Sequence, residues 1–136
     1  MKTDDGKIIT RLKTLRLDFI SVSLMSNGFM MLEMDADQEV EIKHVDQIAE
    51  VMKELGGGEK YPLLILAQAN TLPTMETRAY MASKESNPYA SAEAYVINSL
   101  SQKVAGNLYL SFNKPYRPTK IFTEKDKAIR WLKNFL

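Results

Sequence analysis

The stretch Tyr61-Pro62-Leu63-Leu64-Ile65-Leu66-Ala67 narrows the choice of fold more than any other part of this chain. It is short, carries no charge and shows no alternation of polar and apolar side chains. Such a run is expected of a strand covered on both faces, the environment of a parallel sheet with helices above and below it. The neighbouring segments support that reading.

Residues 1–10 read as a polar lead-in. From Leu15 the side chains alternate through Leu17 and Phe19, then continue as Ile20-Ser21-Val22-Ser23-Leu24. This is strand periodicity with one change of phase near Phe19-Ile20, which reads as a bulge. Ser26-Asn27-Gly28 follows, and Asn-Gly between apolar runs is a strong hairpin signal. The returning strand is expected over Phe29–Met34, with a turn at Asp35-Ala36-Asp37 and a short extended stretch around Val40 and Ile42.

Val45, Ile48, Ala49, Met52 and Leu55 then share one face of a helix, and Gly56-Gly57-Gly58 ends it. After the apolar run, Thr74 caps an expected helix over Met75–Lys84, and Ser86-Asn87-Pro88 stops it. Ala92–Asn98 mixes helix-favouring alanines with Tyr95-Val96-Ile97 and is assigned to a strand, which leaves Ser99 or Ser101 to cap the next helix. That helix carries a stripe of Leu100, Val104, Leu108 and Phe112. Lys114-Pro115-Tyr116-Arg117-Pro118 is a non-helical connector. Thr119–Phe122 forms a last strand, and a closing helix places Ala128, Trp131, Leu132 and Phe135 on one face. The expectation is one α/β domain over residues 1–136. It has a mixed, largely parallel sheet, an N-terminal hairpin and about four helices.

Chemistry is harder to find. The chain has no cysteine, which removes disulfides, thiolate metal sites and cysteine nucleophiles and fits a reducing compartment. No signal-peptide pattern stands at the N-terminus, and no apolar stretch reaches the length of a membrane span, so a soluble cytoplasmic protein is expected. The single histidine, His44, has no G-x-S-x-G serine to serve and reads as a surface or helix-start residue. Asp35-x-Asp37-x-Glu39 resembles the opening of a calcium loop, but Val40 and Asp46 stand where that loop needs glycine and glutamate. The three glycines lie between helix and strand, the reverse of a phosphate-binding loop. No cofactor, metal or catalytic residue is expected.

Charge is uneven. Residues 1–60 carry 8 basic and 12 acidic side chains, whereas residues 101–136 carry 8 and 2. Lys103, Lys114, Arg117 and Lys120 could together present a basic surface. The segment lacks an aromatic stacking platform, so no nucleic-acid binding is expected near physiological salt.

The segments Gly106–Pro115, Pro118–Phe122 and Ala128–Leu132 resemble the end of the small bacterial SpoIIAA-like, or STAS-like, domains, and the order of elements from Leu15 onward is similar to theirs. The resemblance implies a non-enzymatic regulatory or binding module that engages a partner protein or a small ligand and leaves room for a homodimer. Anti-sigma antagonists of this fold have an acidic residue at the end of the central strand and a phosphorylatable serine at the next helix start. This sequence departs from them, with Ala67 near the place of the acid and Thr71 and Thr74 as the nearby hydroxyls.

In sheets of this kind ligands usually meet the edge where strands run into helix N-termini. That edge would gather Asn70, Thr71, Thr74, Asn98, Ser99 and Ser101, with Thr71 expected on an exposed loop. The alternative site is an apolar pocket between sheet and helices, suited to a small molecule or lipid.

Overall fold

The computed structural model describes Gly6 and residues 8–136. Strand β2 (Ile20–Met25) lies between β1 (Arg11–Leu17) and β3 (Met30–Met34) and runs antiparallel to both. The change of phase near Phe19-Ile20 is therefore a chain reversal, not a bulge within one strand. Leu17 pairs with Ile20, and Asp18 turns the corner at φ 49°, a conformation aspartate tolerates better than most residues. The register irregularity in this pair falls elsewhere, between Arg11 and Lys13. The second hairpin lies at Ser26–Phe29, as the Asn-Gly pair predicts, with Gly28 at φ 87°.

From β3 the sheet continues parallel through β5 (Tyr61–Ala67), β7 (Ala90–Val96) and β8 (Thr119–Phe122), in the spatial order β1-β2-β3-β5-β7-β8. Two short strands, β4 (Glu39–Val40) and β6 (Leu72–Pro73), pair beside it. The apolar run is thus an interior strand of the parallel sheet, buried on both faces.

One face of the sheet is covered by α1 (Ile42–Gly56), which seats Val45, Ile48, Met52 and Leu55 on Ile20, Val22, Met30 and Leu63. Gly57 closes α1 in the left-handed conformation at φ 65°. His44 is buried, which corrects the expectation of a surface residue. Its Nδ1 accepts the Glu41 backbone N–H at 2.9 Å, and its ring meets Phe19 edge-on. It belongs to the start of the helix.

The other face is covered by α4 (Lys125–Leu132). Ala128, Ile129 and Leu132 are buried on Met31, Leu64, Ala92 and Ala94, while Trp131 and Phe135 pack half-buried at the margin. Small side chains at 92, 94 and 128 let helix and strand approach closely. That explains why a segment rich in alanine is a strand here.

Helix α2 (Met75–Met81) is shorter than expected, because the chain breaks into a separate turn at Lys84–Ser86. Helix α3 (Leu100–Leu108) runs on through a wider turn over Tyr109–Asn113. Its stripe does not face the core. Leu100 is 77% and Phe112 80% exposed, and Val104 and Leu108 are exposed as well. Among the described residues no helix is long and apolar enough to cross a membrane.

Candidate functional site

The orientation of α3 makes the site. Ser99 caps the helix, its Oγ accepting the Gln102 N–H, while the Gln102 side chain turns back under the helix start. Gln102 Oε1 accepts the N–H groups of Asn98 and Ser99 at 3.0 and 3.2 Å. Its Nε2 donates to the carbonyls of Gln68 at 2.6 Å and Thr71 at 3.2 Å. This buried amide ties α3 to the end of β5. The face it turns toward the sheet holds Ala105, Gly106 and Tyr109, and a Cβ on Gly106 would meet Ile121 Cδ1 at 2.4 Å.

Because that inward face is small where it crosses the sheet, it leaves a hollow. The hollow has a cavity volume of about 100 Å3, and about 900 Å3 when all the open space at its mouth is counted. Leu63, Ile65 and Ala67 of β5 and Tyr95 and Ile97 in and after β7 line its floor. Val45 and Ile48 of α1, Arg78 and Met81 of α2, and the inward residues of α3 form the walls. Apolar walls with a few polar groups are the usual make-up of a small-molecule site.

The polar groups cluster at one end. Glu93 and Arg117 are both buried and pair at 3.4 Å. Arg117 also donates to the carbonyls of Ser83 at 3.1 Å and Met81 at 3.3 Å. Burial pushes the Glu93 carboxyl above its ordinary range, and the Arg117 guanidinium partly offsets that rise. Arg117 is therefore a core residue, and the expected basic surface of Lys103, Lys114, Arg117 and Lys120 loses a member. Tyr95 and Tyr109 meet edge to face at 6.2 Å, and burial raises both phenols. The Tyr109 hydroxyl is buried against Tyr95, and Arg78 Nε is buried without a hydrogen-bond partner.

Of the expected edge residues, the fold brings three together. The Asn70 N–H donates to Ser99 Oγ at 3.3 Å, and Ser101 Oγ donates to Asn70 Oδ1 at 3.3 Å. Asn70 also reaches Asp37 Oδ1 at 3.1 Å, and Asp35 pairs with Arg16 at 2.6 Å. Both aspartates of the calcium-like segment therefore have partners. Asn98 joins the cluster through its backbone and has an exposed side chain. Thr74 caps α2 through the Thr77 N–H at 3.0 Å and makes no contact with the cluster among the hydrogen bonds described.

Thr71 is not on an exposed loop. It is 3% exposed, lines the hollow, accepts the Gln38 N–H at 3.2 Å and donates to the Asp35 carbonyl. The loop folds inward there because its backbone needs partners near the β4–β6 pair. Sequence reasoning missed Gln102, although Ser99-x-x-Gln102 is a capping-box pattern, and missed Glu93, Arg117, Arg78 and Tyr109, whose only signal is tertiary.

The chain belongs to the family described as a domain of unknown function, DUF7793, whose model matches residues 23–136. Among solved structures it is similar to an uncharacterised protein of the DUF3478 family from Shewanella loihica PV-4, which has a SpoIIAA-like fold. The two share 14% identity with a TM-score of 0.53, over 91% of this chain and 93% of that one. No curated protein matches. At this identity the likeness concerns fold, and the fold is SpoIIAA-like.

Proposed function

We propose that this member of the DUF7793 family is a non-enzymatic binding module of the cytoplasm that holds a small apolar molecule in the hollow beneath α2 and α3. The observation that carries the reading is the hollow itself: a space walled by Ile65, Tyr95, Ala105 and Tyr109 and roofed by a helix whose large apolar side chains point away. Of the expected edge residues Thr71 is part of its wall, with Gln102 beside it, while Asn70, Asn98, Ser99 and Ser101 lie outside the lining.

Calorimetric titration with primary alcohols tests this. Each methylene buried contributes about 0.8 kcal/mol, so affinity rises about fourfold per carbon from hexanol to octanol until the hollow is full. Ala105→Met, which fills the space from α3, abolishes binding while the protein stays folded. Absence of binding by the wild type at the solubility limit, or binding unaffected by Ala105→Met, sinks the reading.

A second reading keeps the notion of a protein partner and is favoured by the exposed stripe of Leu100, Val104, Leu108 and Phe112. A second copy of the chain, with its own stripe, is the simplest occupant. Sedimentation analysis gives a dimer that Val104→Lys dissociates. A wild-type monomer retires this reading.

A further inference from the structure

We infer that the molecule taken by the hollow is an apolar monoanion, a carboxylate on a hydrocarbon body, and that Arg78 is its counter-ion. This rests on the reading of the hollow as a ligand site and adds the chemistry of the ligand's polar end.

Arg78 lies on α2 and lines the hollow. Its side chain is half-buried, and its Nε is buried with no hydrogen-bond partner. None of the ion pairs among the described residues includes it. The other charges lining the hollow cannot serve it. Glu93 faces the same space but is already engaged by Arg117, and that pair is neutral as a unit. One guanidinium is therefore left in surplus at an apolar wall.

A buried donor without a partner is unfavourable, and a guanidinium donor more so than a neutral one. The group that removes this cost is planar and singly negative and accepts two parallel N–H bonds, which describes a carboxylate. A phosphate monoester dianion fits less well, since it would bring a second negative charge toward Glu93 with one cation to meet it. The apolar walls select the hydrocarbon body, and Arg78 selects the head.

The test is calorimetry at pH 8 with octanoate, octanol and octylamine on the wild type, Arg78→Met and Arg78→Lys. The wild type binds octanoate at least tenfold more tightly than octanol, and octylamine more weakly than either. Arg78→Met binds octanol as the wild type does and loses the preference for octanoate. Arg78→Lys keeps part of it, because an ammonium supplies charge without the fork. Binding of octanol and octanoate with equal affinity by the wild type overturns this inference and leaves the apolar hollow standing, a comparison that needs no variant. Retention of the octanoate preference by folded Arg78→Met overturns it as well. Failure of all three probes on the wild type removes the ligand site and this inference with it.

Discussion

Removing Arg117 is the perturbation whose outcome depends most sharply on the interior described above. Its guanidinium is buried against Glu93 at 3.4 Å and against the carbonyls of Met81 and Ser83. Arg117→Met keeps most of the side-chain volume but leaves a buried carboxylate without its cation and the carbonyls of Met81, Ser83 and Lys84 and the Ser86 hydroxyl without their donor. Breaking a buried pair from one side costs about 3–5 kcal/mol. The cost must also depend on pH. Burial raises Glu93 in the folded protein, and Arg117 is the group that lowers it again, so the variant's Glu93 titrates higher still. An acid raised on folding contributes its stability below its unfolded value, ordinarily near 4.5, and loses it as pH rises toward the folded value. Over that window the variant loses up to about 1.4 kcal/mol per pH unit relative to a chain without the group. Urea denaturation at pH 5 and pH 8 measures this, and the loss at pH 8 exceeds that at pH 5. Glu93→Leu combined with Arg117→Met recovers most of the loss, since apolar replacement of a buried pair is often close to neutral. A single-variant loss below about 1 kcal/mol at pH 8, or one equal at both pH values, refutes the account of a buried pair.

Two further substitutions probe the supports of the site. Trp131→Ala costs about 2–3 kcal/mol by urea denaturation, below the range for a fully buried aromatic, because Trp131 packs on Phe122 and Phe135 at the margin of the α4 core; a loss under about 1 kcal/mol means it contributes no core packing. Thr71→Glu abolishes cooperative unfolding by circular dichroism, because a charge would replace a buried hydroxyl with two backbone partners; a variant with near-native stability shows Thr71 to be exposed after all.

Most of the element order could be read from residue patterns, because each pattern is local. The hairpin at Asn27-Gly28, the glycine cap of α1 and the two-sided burial of β5 need only short stretches of chain. The reversal at Asp18 was hidden because a phase change in alternation looks alike whether the chain bulges or turns back. The orientation of α3 was hidden for another reason. Leu100, Val104, Leu108 and Phe112 share helical spacing, but so do Gln102, Ala105, Gly106 and Tyr109. Which face turns inward is decided by Gln102 bonding to β5 carbonyls and by Gly106 against Ile121, both over long sequence separations. Arg117 likewise reads as a surface charge between two prolines, and only the fold brings Glu93 to it. That Asn70, Ser99 and Ser101 lie together was legible because strand-to-helix crossings follow from topology. A pocket between sheet and helices was expected as the alternative site, but its lining was not legible, because it depends on which face of α3 turns inward.

The methionines report directly on whether a ligand enters the hollow. Met34 and Met81 line the hollow, Met25 and Met31 lie in the core on the opposite face of the sheet, and Met75 is exposed. With methyl-13C methionine, a titration with octanol followed by NMR reads all three environments in one experiment. The Met34 and Met81 methyls are expected to shift and saturate together while Met25 and Met31 stay in place. Shifts confined to Met75, or equal shifts on both faces of the sheet, would contradict binding in the hollow.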